Sequence, residues 1–307
     1  MPGSHVTKRV QFVLGLLAAV AAFVWAFRGV DLPALVRALR AAQPGWLVLA
    51  VLSVSLSLMA VVARWWCLLD RPAARLSGRP TWLVLVSSTL AAQMANIVMP
   101  FRLGDGVRLV AAGHTLGLGP ARAASSAVLE RVGDVLALGG VCAGVMASNA
   151  TPVWARAAIT RSSRLAAGVA VAAVIVFALA AWLGAKRVSV LPSSGALAWA
   201  VAWSAAVPAT SALTNVLVMR AFGLPAPWMA AVLLMVVLQV GTSIVTVPGG
   251  LGVSQLLTVK TLGLYDVAPA DALAFSLVLY LVANVPKLIA LPVVMTWAGR
   301  STVEAGR

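Results

Sequence analysis

Asn96–Arg108 reads NIVMPFRLGDGVR: one proline, two glycines and three charges set directly behind an apolar run at about 80–99. A membrane helix that breaks at Pro100 and exposes Arg102, Asp105 and Arg108 there is expensive in hydrocarbon. Such breaks line a cavity or a polar path instead of facing lipid. On either side of it, further apolar runs lie at about 9–27, 46–69, 123–147, 164–184, 196–219, 228–247 and 272–297. Each approaches or exceeds the length that crosses a ~30 Å hydrocarbon layer. With 62% hydrophobic and 10% charged residues, the chain is no ordinary soluble domain. The expected fold is all-α: a polytopic membrane helical bundle of about eight apolar segments, one integral membrane domain over residues 1–307.

The first run follows Lys8 and Arg9 as a signal peptide would, but seven more runs behind it make a retained helix the expectation. Cys67 and Cys142 fall inside apolar runs and read as small packing residues. Histidine is confined to His5 and His114, a poor basis for a metal or histidine-based catalytic centre. No P-loop, serine elbow or Cys–His pair stands out. No cofactor, metal or enzymatic reaction is therefore expected. Nineteen arginines and four lysines against eight acids give a net charge of +15. Arginines that hold loops on the cytoplasmic side account for much of this, and an Arg-favouring composition for more. The functional reading is attraction to anionic headgroups, and nucleic acid is not expected as a partner. Loop cations divide almost evenly between the two sides, with a small bias toward a cytoplasmic N-terminus. Trp65, Trp66, Trp199 and Trp203 lie at or near segment ends, where interfacial anchoring is the default.

Between the first two runs, RGVDLPALVRALRAAQPG (28–45) predicts a short interfacial helix. Asp31 is its expected N-cap, Pro33 suits the first turn, and Leu32, Leu35, Val36 and Leu39 share a face opposite Arg37 and Arg40. A repeat is also visible. IVMPFRLGDGVR (97–108) resembles IVTVPGGLGVSQ (244–255), and PARAASSAVLER (120–131) is followed 149 residues later by PADALAFSLVLY (269–280). Halves of about 1–150 and 151–307 follow. If every segment spans, the halves are parallel; if each proline motif is a re-entrant hairpin, they are inverted.

Charge concentrates in the first half. Arg102, Asp105 and Arg108 lie at the break, and Glu130, Arg131 and Asp134 in the next apolar run, with Arg122 assigned to the connecting turn. Each of the six costs roughly 2.5–3.5 kcal/mol if inserted alone at the bilayer centre, so pairing or hydration is required. Glu130 and Asp134 are i,i+4 neighbours. A Gly-flanked turn at Gly104 and Gly106 lets Arg102 and Arg108 approach one cavity, and a helix restarting there points amides at an anion. The bland alternative is a self-neutralising network that only fixes helices. In the second half, Pro248, Gly249, Gly250 and Gly252 permit a broken element, with Ser254 and Gln255 adding modest polarity. Gln93 and Asn96 place amides near the first break, for interhelical bonding or substrate contact. Lys287 is an intramembrane cation that pairs with an acid or snorkels.

At these residues the chain resembles the flippase-like integral membrane family that includes the transmembrane region of lysylphosphatidylglycerol synthases. The resemblance rests on Asn96, Pro100, Arg102, Gly104, Asp105 and Arg108, on Glu130-Arg131 with Asp134, and on the Pro-Gly-Gly-x-Gly stretch at 248–252, and it runs over essentially the whole chain. Asp105 stands where most members carry Glu. The chain ends soon after its last apolar run, so the resemblance implies the lipid-moving half of that family without the aminoacyltransferase domain.

The expected function is binding of an anionic or polyprenyl-phosphate-linked lipid and its movement between leaflets of a bacterial cytoplasmic membrane. Arg102 and Arg108 hold the headgroup phosphate and Arg131 supports them. Asp105, Glu130 and Asp134 position the arginines, with Asn96 and Lys287 also in the site. Pro100, Gly104, Pro248, Gly249, Gly250 and Gly252 form the broken elements. Expected partners are membrane lipids, with a separate enzyme or a second copy as further candidates. The alternative is a non-transporting subunit or scaffold that presents lipid to another enzyme during envelope assembly.

Overall fold

A computed structural model describes residues 31–69, 75–76, 79–98, 104, 106, 108, 120–147, 192–244 and 248–304. Its eight described α-helices are α1 (Leu32–Ala41), α2 (Pro44–Leu68), α3 (Thr81–Val98), α4 (Pro120–Ala147), α5 (Ser194–Ala221), α6 (Trp228–Ile244), α7 (Val253–Gly263) and α8 (Pro269–Glu304). A 3-10 turn at Pro248–Gly250 precedes α7. One departure from the all-α expectation is a minimal antiparallel ladder, β1 (Arg75–Leu76) with β2 (Arg79–Pro80). Six of the anticipated apolar runs coincide with α2, α3, α4, α5, α6 and α8. The runs at 9–27 and 164–184 lie outside the described residues, as do Pro100, Arg102 and Asp105.

Among the described residues, three helices are long and apolar enough to cross a membrane: Pro44–Leu68, Ser194–Ala221 and Pro269–Val294. Pro208 lies inside α5, and Pro286 and Pro292 inside α8. Each removes one ladder hydrogen bond, a loss that membrane helices tolerate when neighbours satisfy the freed groups.

Contacts divide the chain into two compact units. One gathers Met1–Ser55, Leu90–Val107 and Ser211–Pro292, the other Leu56–Thr89, Arg108–Thr210 and Val293–Arg307. In the first unit the start of α2 runs antiparallel to the end of α5. The Gln43 N–H donates to Ala221 O at 2.8 Å, and the Thr214 hydroxyl to Ser53 Oγ at 3.1 Å. Ala50 and Val54 of α2 share a buried cluster with Val218 and Met219 of α5, Ala230 and Ala231 of α6, Leu262 of α7, and Ala272 and Phe275 of α8.

That cluster shows how α6 and α7 are joined. The end of α7 returns to the level at which α6 began, so the pair is a helical hairpin. Closer to the turn, Gly241 faces Leu257, and a Cβ on Gly250 would sit 3.6 Å from Thr242 Cγ2. Eleven residues give α7 about 16 Å of rise, too little to cross ~30 Å of hydrocarbon. The turn itself needs glycine: Gly249, Gly250 and Gly252 have φ of 64°, 66° and 80°.

The α1 helix forms as anticipated, with one correction. Asp31 occupies the N-cap position but makes no capping bond; its carboxylate instead faces Arg37 at 3.7 Å, both exposed. Leu35 is buried against Leu273 and Ala274, while Leu32, Val36 and Leu39 stay exposed. Helix starts at Pro44, Thr81 and Pro120 are followed 150, 147 and 149 residues later by starts at Ser194, Trp228 and Pro269.

Candidate functional site

The second unit buries an ion-pair network on α2 and α4, together with Arg108. Glu130 is its hub. Both carboxylate oxygens serve Arg108: Nη1 donates to Oε1 at 3.3 Å, and Nη2 donates to Oε2. The Arg64 guanidinium bridges α4 from α2, donating from Nη2 to Glu130 Oε1 and from Nη1 to Asp134 Oδ1, each at 2.5 Å. Arg131 reaches the other Asp134 oxygen at 3.2 Å. Helical spacing makes this sharing feasible, because Glu130 and Asp134 stand one turn apart on α4 and face the same arginine. Relative exposure is 2% for Arg64, 4% for Arg108 and 5% for Glu130. By contrast, the Arg131 side chain is 48% exposed.

An aromatic wall completes it. The Arg108 guanidinium carbon lies 4.6 Å from the Trp65 ring centroid, a distance suited to a cation–π contact. The Trp65 indole N–H donates to Ser126 Oγ at 3.3 Å, which fixes the ring from the α4 side. Trp65 is thus buried beneath an arginine, and the interfacial role expected for it is corrected. Trp199 remains well exposed. Arg122 is also corrected: it lies in the first turn of α4 and donates to Leu69 O at 2.8 Å.

Two donors in the network are left over. Nε of Arg64 and Nε of Arg108 are buried and have no hydrogen-bond partner among the described residues. A guanidinium has five N–H donors and no acceptor, so each retains capacity for one more oxygen. Among the described residues the network comprises three cations and two anions; the third cation, Arg131, is half exposed, whereas Arg64, Arg108 and Glu130 are buried.

The first unit holds Gly104 beside the end of α3, and the turn that precedes α7. Asn96 Oδ1 accepts the Gly104 N–H at 2.8 Å, and a Cβ on Gly104 would collide with Ala92 O. By Gly104 the chain has therefore folded back against α3, and Asn96 secures that return. Gly104, Gly106 and Arg108 are helical. The second break meets the end of α3, since a Cβ on Gly249 would lie 3.3 Å from Ile97 O. Lys287 sits on α8, also in the first unit.

Of the residues singled out from sequence, the structure joins Arg108, Glu130, Arg131 and Asp134 in one network, and it brings Asn96 to Gly104 and Gly249 to the end of α3. Arg64 was missed, and it is the residue that links α2 to both acids. Its signal was a lone arginine inside an apolar run, AVVARWWCL at 60–68. Among the described residues no three His, Cys, Asp or Glu side chains gather as metal ligands would. No curated protein matches the chain. Residues 12–290 match the family described as the lysylphosphatidylglycerol synthase TM region, and this multi-pass membrane protein belongs to that family of proteins related to lipid handling.

Proposed function

We propose that the chain binds an anionic or polyprenyl-phosphate-linked lipid by its headgroup and carries it, chemically unchanged, between the leaflets of a bacterial cytoplasmic membrane. The observation that carries this reading is the pair of buried, unpartnered Nε donors on Arg64 and Arg108. A phosphate oxygen offers what they lack, and bidentate contact with guanidinium is its preferred geometry. Glu130 and Asp134 hold the arginines in place while the site is empty, and the headgroup competes with them when it arrives.

The proposed transport architecture is an inverted repeat, with N-terminus cytoplasmic and two re-entrant elements. Antiparallel α2 and α5, the α6–α7 hairpin and the recurrence of helix starts all favour it. Corresponding helices of inverted halves run in opposite directions, as α2 and α5 do.

One observation favours a second reading. Glu130 satisfies two arginines at once, and such a closed network also serves to lock helices. The chain would then be a scaffold, or a subunit presenting lipid to a separate enzyme. Lipids that co-purify with the parent are to be compared with those of an Arg108→Gln/Glu130→Gln variant, which keeps charge balanced, and both assayed for lipid movement in liposomes. One anionic lipid enriched and moved by the parent alone supports the transport reading. Identical profiles matching the bulk membrane, with no movement by either protein, leave the scaffold.

A further inference from the structure

The tip of the α6–α7 hairpin, in the other unit, has a chemistry the lipid-moving proposal does not use. Its donors all carry the same electrical sense. Val253 and Ser254 open α7 ahead of the first intrahelical bond, Leu256 N–H to Gly252 O at 2.9 Å, so their amides lack helical acceptors. Three left-handed glycines fold the turn before them, a backbone form that gathers N–H groups into an anion-binding concavity.

A second, independent feature points to the same place. Gln255 is 0% exposed. Its Oε1 accepts the Gly252 N–H at 2.7 Å and the Ser254 hydroxyl at 3.1 Å, which holds the amide at the mouth of α7. The Nε2 group beside that oxygen is buried and has no partner among the described residues. A buried amide donor without an acceptor is a standing cost that a ligand oxygen relieves.

The facing surface of α8 is polar. The Tyr280 hydroxyl approaches so near Gly249 that a Cβ there would lie 2.8 Å from it. Asn284 folds back to donate from Nδ2 to Tyr280 O at 2.9 Å. Lys287 follows at the i,i+7 position, on the same face and about 10 Å along the axis. No described residue partners its ammonium. The acids of this region, Asp266 and Asp271, stand past the far end of α7 and in the first turn of α8, away from the tip. Helix N-terminus, orphan amide and phenol gather at the tip, Lys287 stands further along the same face of α8, and among the described residues the acids of this unit lie elsewhere.

We propose that the hairpin tip is a second anion site, which takes an oxyanion between the N-terminus of α7 and the Lys287 ammonium. The ligand chemistry is a phosphate or carboxylate group, borne by a lipid headgroup or free in solution. Binding there does not depend on the Arg64–Glu130–Arg108 network holding lipid.

Calorimetric titration of the purified full chain tests this with two probes, inorganic phosphate and dioctanoyl phosphatidylglycerol. Titrations are run in the parent and in the Arg108→Gln/Glu130→Gln background, so that binding at the arginine network is separated from binding at the tip. Lys287→Gln is expected to weaken binding about tenfold or more in both backgrounds, the loss of one charge-assisted contact. Tyr280→Phe, which removes a hydroxyl alone and keeps its ring, is expected to weaken it about threefold or more. Binding of phosphate itself identifies a free-anion site; binding of the lipid alone identifies a headgroup site. The proposal is overturned if both variants bind as their parents do, or if neither probe binds in the network variant while that protein keeps its thermal transition. Should Lys287→Gln fail to fold, Tyr280→Phe decides the matter.

Discussion

Glu130 spends both oxygens on two arginines, so its loss strands charge in a way that no other single change in the network does. Glu130→Gln leaves Arg64 and Arg108 buried beside a neutral amide, and the expected penalty is about 3–5 kcal/mol. Arg131→Gln touches a half-exposed partner of Asp134 and is expected to cost about 1 kcal/mol or less. Denaturant titration of the two variants in the same detergent checks the ordering; equal penalties would remove Glu130 from the centre of the network. The pairing of Glu130 with Asp134 on one face was legible in the sequence, because helical spacing is local information. Arg64 was not, since its partners lie 66 and 70 residues away and only helix packing selects them. The same holds for Trp65: a tryptophan near a segment end reads as an anchor until a buried guanidinium is found against it.

The α6–α7 hairpin depends on glycine at the turn more than on its apolar content. Gly249→Ala puts a Cβ at φ 64°, 2.8 Å from the Tyr280 hydroxyl and 3.3 Å from Ile97 O. Left-handed backbone and crowding add, and a destabilisation of about 2 kcal/mol or more is expected. Gly139→Ala, inside α4 with nothing within 4 Å, is the matched contrast and is expected to gain about 0.5–1 kcal/mol. Thermal unfolding of both variants gives the comparison, and a neutral Gly249→Ala would argue that the turn relaxes freely. Long helices were readable from composition to within a few residues, as for α2 and α6. The α7 helix escaped notice because VSQLLTVKTLG is short and mixed, and neither its length nor its polarity marks a membrane element. What makes it a helix is the return packing on α6 and α8.

At the scale of the chain, the proposed inverted architecture sets which loops share a side of the membrane. Because α7 returns to the start of α6, Trp228 and Ala268 are expected on one face and Ser194 on the other. Single cysteines at these three positions, in a Cys67→Ser/Cys142→Ser background, should label accordingly with an impermeant maleimide. Labelling of Trp228→Cys and Ala268→Cys from opposite faces would instead require α6 and its sequel to span, and the halves to be parallel. Sequence left this choice open, since loop charges are nearly even and the proline motif suits either course. The Arg64–Glu130–Arg108 trio also bears on how such a protein can change over generations. Losing one member strands charge, yet exchanging all three for apolar residues of similar volume is often neutral or stabilising by about 1–4 kcal/mol. Descendants without the proposed headgroup binding would therefore shed these positions as a block, and the fold would persist without them.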